Sequence, residues 1–149
     1  MPSLEGATTW FNGSLEDATE TIKEKPTLVH FWAVSCGICK DKMPQLNEIK
    51  KKYGALGLQT IAVHMPRYEA DTDLDLVDEA ITANHITEPT AVDSLHKLKD
   101  AFLNEQGWVP VYYLFDAEGK LKTRAAGEFG ISVLQTALDK MFATQAAAA

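Results

Sequence analysis

The alternation of apolar and polar positions along the chain divides it into short strands and amphipathic helices. Thr8 to Phe11 reads as a short strand closed by the turn pair Asn12-Gly13. Ser14 can cap a helix to about Lys23, with Glu16 and Asp17 in its first turn. Thr27 to Val34 is a nearly unbroken apolar run, the pattern of a central strand covered on both faces. A helix is predicted from Gly37 to Tyr53, with Met43, Leu46, Ile49 and Tyr53 on its buried face and Gly54 at its end. Pro44 lies inside that helix and is expected to kink it.

Leu58 to His64 reads as a second buried strand. Asp71 or Thr72 starts a helix to about Asn84, with Leu74, Val77 and Ile81 on one face. Thr90 to Val92 is a candidate short strand, and Ser94 is the candidate cap of a helix to about Leu103. Val109 to Phe115 and Lys120 to Ala125 read as two strands joined at Asp116-Ala117-Glu118-Gly119. A last helix, Ile131 to Phe142, turns Ile131, Leu134, Leu138 and Met141 inward. Strands separated by helices, then a hairpin, then a helix, predict an α/β fold: a central mixed sheet with helices on both faces.

Composition narrows the function classes. At 149 residues the chain is the size of one domain, long enough for a real core, and no repeat or linker divides it. A hydrophobic fraction of 46% and a charged fraction of 23% are those of a globular protein. The net charge of −7 disfavours nucleic acid and anionic lipid as partners. No apolar run reaches the roughly 18 residues of a membrane helix. The N-terminal stretch lacks a basic region followed by an apolar one, so no signal peptide is expected and a cytoplasmic setting is the expectation. The alanine-rich tail, 144–149, is expected to fray.

The two cysteines, Cys36 and Cys39, are three positions apart. So short a disulfide loop removes little entropy from the unfolded chain, which makes a structural staple a poor explanation. In an intracellular chain the spacing points to metal or redox chemistry. Closed zinc sites use four ligands, and here one pair stands with four scattered histidines; haem attachment needs histidine after the second cysteine, where Lys40 stands. Redox chemistry is therefore the leading reading, with no metal and no cofactor. Cys36 ends a strand and begins a helix, where free N–H groups and the helix dipole stabilise a thiolate; Lys40 and Lys42 add positive charge. Cys39, one turn further in, is expected to be the more buried. Cys36 is thus the candidate nucleophile and Cys39 the resolving thiol. Gly37 and Ile38 leave room for the turn and for an approaching chain.

Phe31-Trp32-Ala33, then Cys36-Gly37-Ile38-Cys39-Lys40, then Pro44, resemble the active-site signature of the thioredoxin superfamily. The resemblance runs in order over about 27–142 and implies a single thioredoxin-like domain. It implies that Val109-Pro110 is the cis-proline facing the cysteine pair, that Gly127 borders the substrate groove, and that Trp32 is half core and half groove wall. The longer stretch at about 66–103 implies an inserted strand-helix unit, similar to the TlpA and ResA branch. Leu28-Val29-His30-Phe31-Trp32 and Ala62-Val63-His64-Met65-Pro66-Arg67 bring the chain nearest to an untethered, soluble type within that branch.

The resemblance also implies a thiol-disulfide oxidoreductase; the expected cytoplasmic setting, and the Gly37-Ile38 pair with no cationic histidine between the cysteines, point to the reduction of protein disulfides. Its partners would be disulfide-bearing proteins and a dithiol donor, and it would be a monomer. Rivals are an oxidase or isomerase of secreted proteins, a thiol peroxidase, and a binding module with incidental cysteines. Two departures from thioredoxin stand out. Ser35 replaces the tryptophan before the first cysteine, and His30 replaces the buried aspartate six residues before it. Alternation puts His30 on the strand face shared with Leu28 and Trp32, which leaves two readings: it takes the proton of Cys39, or it is a hydrogen-bonded core histidine with no part in the chemistry. His64, His85 and His96 read as ordinary surface or loop histidines, Trp108 as either groove or packing, and Glu69 to Asp75 as a solvated loop and helix start.

Overall fold

The computed structural model describes the backbone of residues 1–148 and the side chains of residues 1–143. The strands are β1 (Thr9–Phe11), β2 (Thr27–Trp32), β3 (Gln59–His64), β4 (Thr90–Val92), β5 (Val111–Phe115) and β6 (Leu121–Ala126). The helices are α1 (Leu15–Ile22), α2 (Gly37–Gly54), α3 (Leu74–Ala83), α4 (Lys97–Ala101) and α5 (Gly130–Ala148). One sheet holds all six strands in the order β1-β4-β3-β2-β5-β6. β2 lies parallel to β3 and antiparallel to β5, and every one of its residues is buried, as its apolar run requires. This is the thioredoxin-like α/β fold, with β4 and α3 in the insertion.

The period-2 alternation of β2 divides the core between the two faces. Leu28 and Trp32 join Met43, Leu46, Ile49 and Tyr53 of α2 and Ile131, Leu134 and Leu138 of α5. The Tyr53 hydroxyl donates to Asp139, fastening α2 to α5. Val29 and Phe31 face the other way, toward Ala18 of α1, Leu98 of α4 and Phe102. Pro44 sits within α2 without ending it; its missing N–H leaves the Lys40 carbonyl without its helical partner.

Several boundaries differ from the sequence expectation, each for a local reason. β2 stops at Trp32, because the Val34 N–H is taken by the His64 ring and the Cys36 N–H bonds back to the Ala33 carbonyl. β5 starts at Val111, since Pro110 has no N–H for the ladder. The predicted helix from Asp71 is two pieces, a 3-10 turn over Glu69–Thr72 and then α3, capped by Asp73 rather than Asp71. Leu74 is exposed, and Val77, Ala80 and Ile81 form the buried face. Ser94 caps nothing: the carboxylate of Asp93 accepts from the N–H groups of Leu98 and Lys99, both at 2.8 Å. In α5 the residue fully buried near the end is Phe142, with Met141 packed partly against the core. α5 is helical as far as Ala148; the fraying expected over 144–149 falls where the side chains, and at Ala149 the backbone, lie outside the described residues.

Candidate active site

The ends of four neighbouring strands meet at one end of the sheet. Trp32 closes β2 beside His64 of β3, and Phe31 pairs with Val111, which puts Pro110 next to Trp32. Val111 pairs in turn with Ala126, and the Gly127 N–H donates to the Pro110 carbonyl at 2.9 Å. The segments 33–36, 65–67, 108–110 and 127–129 therefore border one surface. The Val109–Pro110 peptide is cis. Gly127 holds φ +79°, a conformation that favours glycine. Val109 packs against the core cluster that contains both cysteines.

Cys36 and Cys39 form a disulfide. Cys36 is the N-cap of α2, and its Sγ accepts the Cys39 N–H at 3.1 Å. An N–H aimed at a sulfur at a helix start is the kind of environment that favours a thiolate over a thiol. The expected difference in burial is absent: Cys36 is 3% exposed and Cys39 2%. What separates the two sulfurs is position on the helix, since Cys36 stands at the cap and Cys39 within the first turn. Ser35, Gly37 and Ile38 are exposed around them. Trp32 is fully core, not groove wall, and Trp108 is exposed.

His30 lies in mid-β2, opposite Ala62 and Tyr112, and is fully buried. Its Nε2 is 2.7 Å from Glu88 Oε2, while Glu88 Oε1 accepts from Lys50 Nζ of α2 at 2.7 Å and from the Thr87 N–H at 3.1 Å. Burial alone would raise the Glu88 carboxyl, but the His30 hydrogen bond and charge, and then Lys50, outweigh it and hold it at about 2. An ionised carboxylate can only accept, so Nε2 of His30 carries a proton and donates it to Glu88. Neither Glu88 nor Lys50 was legible as a partner, because they lie 58 and 38 positions from their contacts.

A second polar cluster holds the loop before the nucleophile. His64 is buried, not a surface histidine, and stands edge-on to Trp32 with ring centroids 4.8 Å apart. Its Nε2 accepts the Val34 N–H at 3.2 Å. Burial pushes its pKa down to about 4, and the Asp71 charge offsets this only in part. Asp71 is likewise buried, against the expectation of a solvated acidic run. It accepts from the Ser35 N–H at 2.9 Å, the Ser35 hydroxyl at 2.8 Å, and the N–H groups of Arg67 and Tyr68. Burial would raise the Asp71 carboxyl; these bonds more than offset that and keep it below its ordinary value. On the facing loop, buried Asn104 clamps Trp108 at both ends. Its Nδ2 donates to the Trp108 carbonyl at 2.9 Å, and its Oδ1 accepts the Trp108 N–H at 3.1 Å. His96 bonds to the Pro66 carbonyl, and His85 is exposed.

The His64 shift has a consequence for stability. Its folded pKa lies below the unfolded value of 6.5, so between these values the unfolded chain binds the proton that the folded chain refuses. Stability is expected to fall as pH drops from about 6.5 to about 4, a loss on the order of 3 kcal/mol. Urea midpoints across that range check it; the same fall in a His64→Gln variant would assign the effect elsewhere.

Among the described residues, no three His, Cys, Asp or Glu side chains are grouped to hold a metal ion, and no helix is long and apolar enough to cross a membrane.

A family model described as Redoxin matches residues 1–138. The thiol-disulfide oxidoreductase YkuV of Bacillus subtilis is 45% identical over 143 residues, 96% of this chain and 94% of that protein. The thiol-disulfide oxidoreductase ResA of Bacillus cereus is 28% identical and matches 80% of this chain and 65% of its own. Among solved structures, a thioredoxin-like protein in its oxidised form superposes with a TM-score of 0.84 at 44% identity, covering 97% of this chain and 95% of that one. StoA from Bacillus subtilis superposes with a TM-score of 0.63 at 22% identity, covering 77% and 83%; that likeness bears on the fold alone.

Proposed function

We propose, for a chain that belongs to the redoxin family and is a thiol-disulfide oxidoreductase, that it works as a reductant of protein disulfides through Cys36 and Cys39. The observation that carries this reading is the Cys36 sulfur at the cap of α2, joined to Cys39 and accepting its N–H. In the dithiol form, the Cys36 thiolate attacks one sulfur of a partner disulfide. A mixed disulfide forms and the partner's other sulfur leaves as thiolate. Cys39 then loses its proton and attacks Cys36 Sγ. The Cys36–Cys39 bond closes, the partner's second sulfur leaves, and the two electrons have passed to the partner. The cysteines carry the electrons themselves, so no cofactor takes part.

His30 is the acceptor we assign to the Cys39 proton. It lies on the sheet face that α2 covers, and the Glu88 bond occupies Nε2, so Nδ1 is the nitrogen to which we assign the proton. Glu88 holds the ring and stabilises the imidazolium, the arrangement that makes a histidine a general base. Ser35, Gly37, Ile38, Val109, Pro110 and Gly127 border the surface on which the partner chain would lie, extended beside the 108–110 loop. Trp32 supports that surface from beneath. A monomer in a reducing, cytoplasmic setting fits this direction of electron flow.

The reduction potential of the Cys36–Cys39 couple tests the direction. Equilibration in graded dithiol buffers with alkylation of free thiols is expected to give a value near about −270 mV; a value above about −180 mV would make the protein an oxidant or isomerase instead.

A further inference from the structure

Arg67 of the insertion occupies an unusual position for a cation. Its Nη2 donates to the Ser35 hydroxyl at 3.1 Å, and its guanidinium lies 5.3 Å from the centre of the Tyr68 ring. Among the described residues no carboxylate lies within ion-pairing distance of it. The hydroxyl it touches is oriented by Asp71, which holds Ser35 by both N–H and Oγ and grips the Arg67 backbone as well. Asp71 is buried and its charge is taken up by four donors, whereas Arg67 is exposed. A buried anchor thus fixes an unpaired positive charge directly beside the residue preceding Cys36. In the disulfide form the anion at hand is Asp71, across the Ser35 hydroxyl and held by its own donors. Reduction creates a second at Cys36.

We propose that Arg67 is the insertion's contribution to the nucleophile: held by Ser35 and Asp71, its guanidinium stabilises the Cys36 thiolate. The inference rests on the reading of Cys36 as the attacking sulfur and adds a positioning pair, Ser35 and Asp71, behind it. The other charged groups at this end of the sheet are few. α2 brings its own N-terminal dipole, Lys40 and Lys42, with Asp41 exposed among them. β3 brings His64, which is neutral at pH 7. The 108–110 loop brings no titratable group, and the 127–129 link brings the exposed Glu128. The insertion itself brings two charges to Ser35: buried Asp71, whose carboxylate is turned onto four donors, and Arg67, the one cation among the described residues hydrogen-bonded to that side chain. The same cysteine in a chain with tryptophan before it has no such hydroxyl, so the serine and the arginine belong together.

The test is the thiolate absorbance of the reduced protein as a function of pH, with alkylation mapping to assign the titrating sulfur. At low ionic strength Arg67→Gln is expected to raise the Cys36 pKa by about half a unit, the modest shift of an exposed charge. The rate of attack on a neutral disulfide at pH 7 then falls about twofold, since the loss of thiolate is partly offset by its greater nucleophilicity. Arg67→Lys restores part of the shift. Ser35→Ala gives a smaller rise, and adding it to Arg67→Gln changes nothing further, because the hydroxyl acts through the guanidinium. The difference between wild type and Arg67→Gln closes in salt of about 1 M, where the screening length is about 3 Å. An unmoved Cys36 pKa in Arg67→Gln overturns the inference while leaving Cys36 as nucleophile. So does a shift that survives high salt, which would mark a packing effect, or slower attack confined to acidic peptide disulfides, which would mark partner recognition. If the sulfur with the low pKa is Cys39, the reading of Cys36 itself fails.

Discussion

Replacing Cys39 by serine is expected to leave a protein that attacks disulfides once and then stops. Cys36 still stands at the cap of α2, and the backbone N–H of residue 39 still points at its sulfur. The first step, thiolate attack, is therefore retained. A serine hydroxyl cannot displace the partner, so the mixed disulfide accumulates as a covalent adduct on a non-reducing gel. Cys36→Ser removes the nucleophile itself, and turnover is expected to fall by about a thousandfold or more. The double replacement forms no adduct. An adduct that forms on Cys39 in the Cys36→Ser protein at a rate comparable with wild type would reverse the two roles.

The second large effect concerns the buried charges beneath the helix. Glu88 bridges His30 and Lys50 in a region with almost no water access, so its removal strands two polar groups inside the protein. Glu88→Ala is expected to cost about 3–5 kcal/mol, read from urea unfolding at pH 7. Glu88→Gln, which can still accept from one of the two, is expected to cost less. The acid dependence has a definite sign. The folded pKa of Glu88, about 2, lies below its ordinary 4.5, so the stabilisation is complete above about 4.5 and is lost as pH falls through about 2. That window lies below the one expected from His64, so the two can be separated in one titration.

The same cluster bears on the resolving step. His30→Ala is expected to slow the release of the mixed disulfide by about a hundredfold near neutral pH, the usual worth of a positioned base, with the deficit shrinking at alkaline pH where Cys39 ionises unaided. A His30→Ala protein that resolves at the native rate over the whole pH range would reduce the triad to a structural role. Stopped-flow tryptophan emission gives the rate, because Trp32 packs in the same core cluster as both cysteines.

Much of this molecule was legible from local pattern. The nearly unbroken apolar run at Thr27 to Trp32, interrupted by His30, reads as an interior strand, and the i, i+3, i+4 spacing of Met43, Leu46, Ile49 and Tyr53 as the inner face of a helix. The position of the nucleophile followed in the same way, because a strand end running into a helix start at Cys36 is a local event. Side-chain partners across the sheet were not local events. The acidic stretch around Asp71 has the composition of a solvated loop, and nothing in it distinguishes the one carboxylate that turns inward from its exposed neighbours Glu69 and Asp73. His64 read as a loose histidine for the same reason, and Ser94 as a cap, because the carboxylate that caps α4 belongs to the residue before it.

The sequence by itself determined which residues are strand and helix, which faces are apolar, and where a thiolate would find a helix N-terminus; periodicity and cap chemistry act over a few residues, so a linear chain carries them in full. Only the tertiary structure decided which polar groups are buried together. His30 with Glu88 and Lys50, and Ser35 with Asp71 and Arg67, are joined across 30 to 60 positions by the order of the strands. A buried ionisable group must find its partner wherever the fold places one, and that partner is set by strand order and register, which are properties of the whole chain.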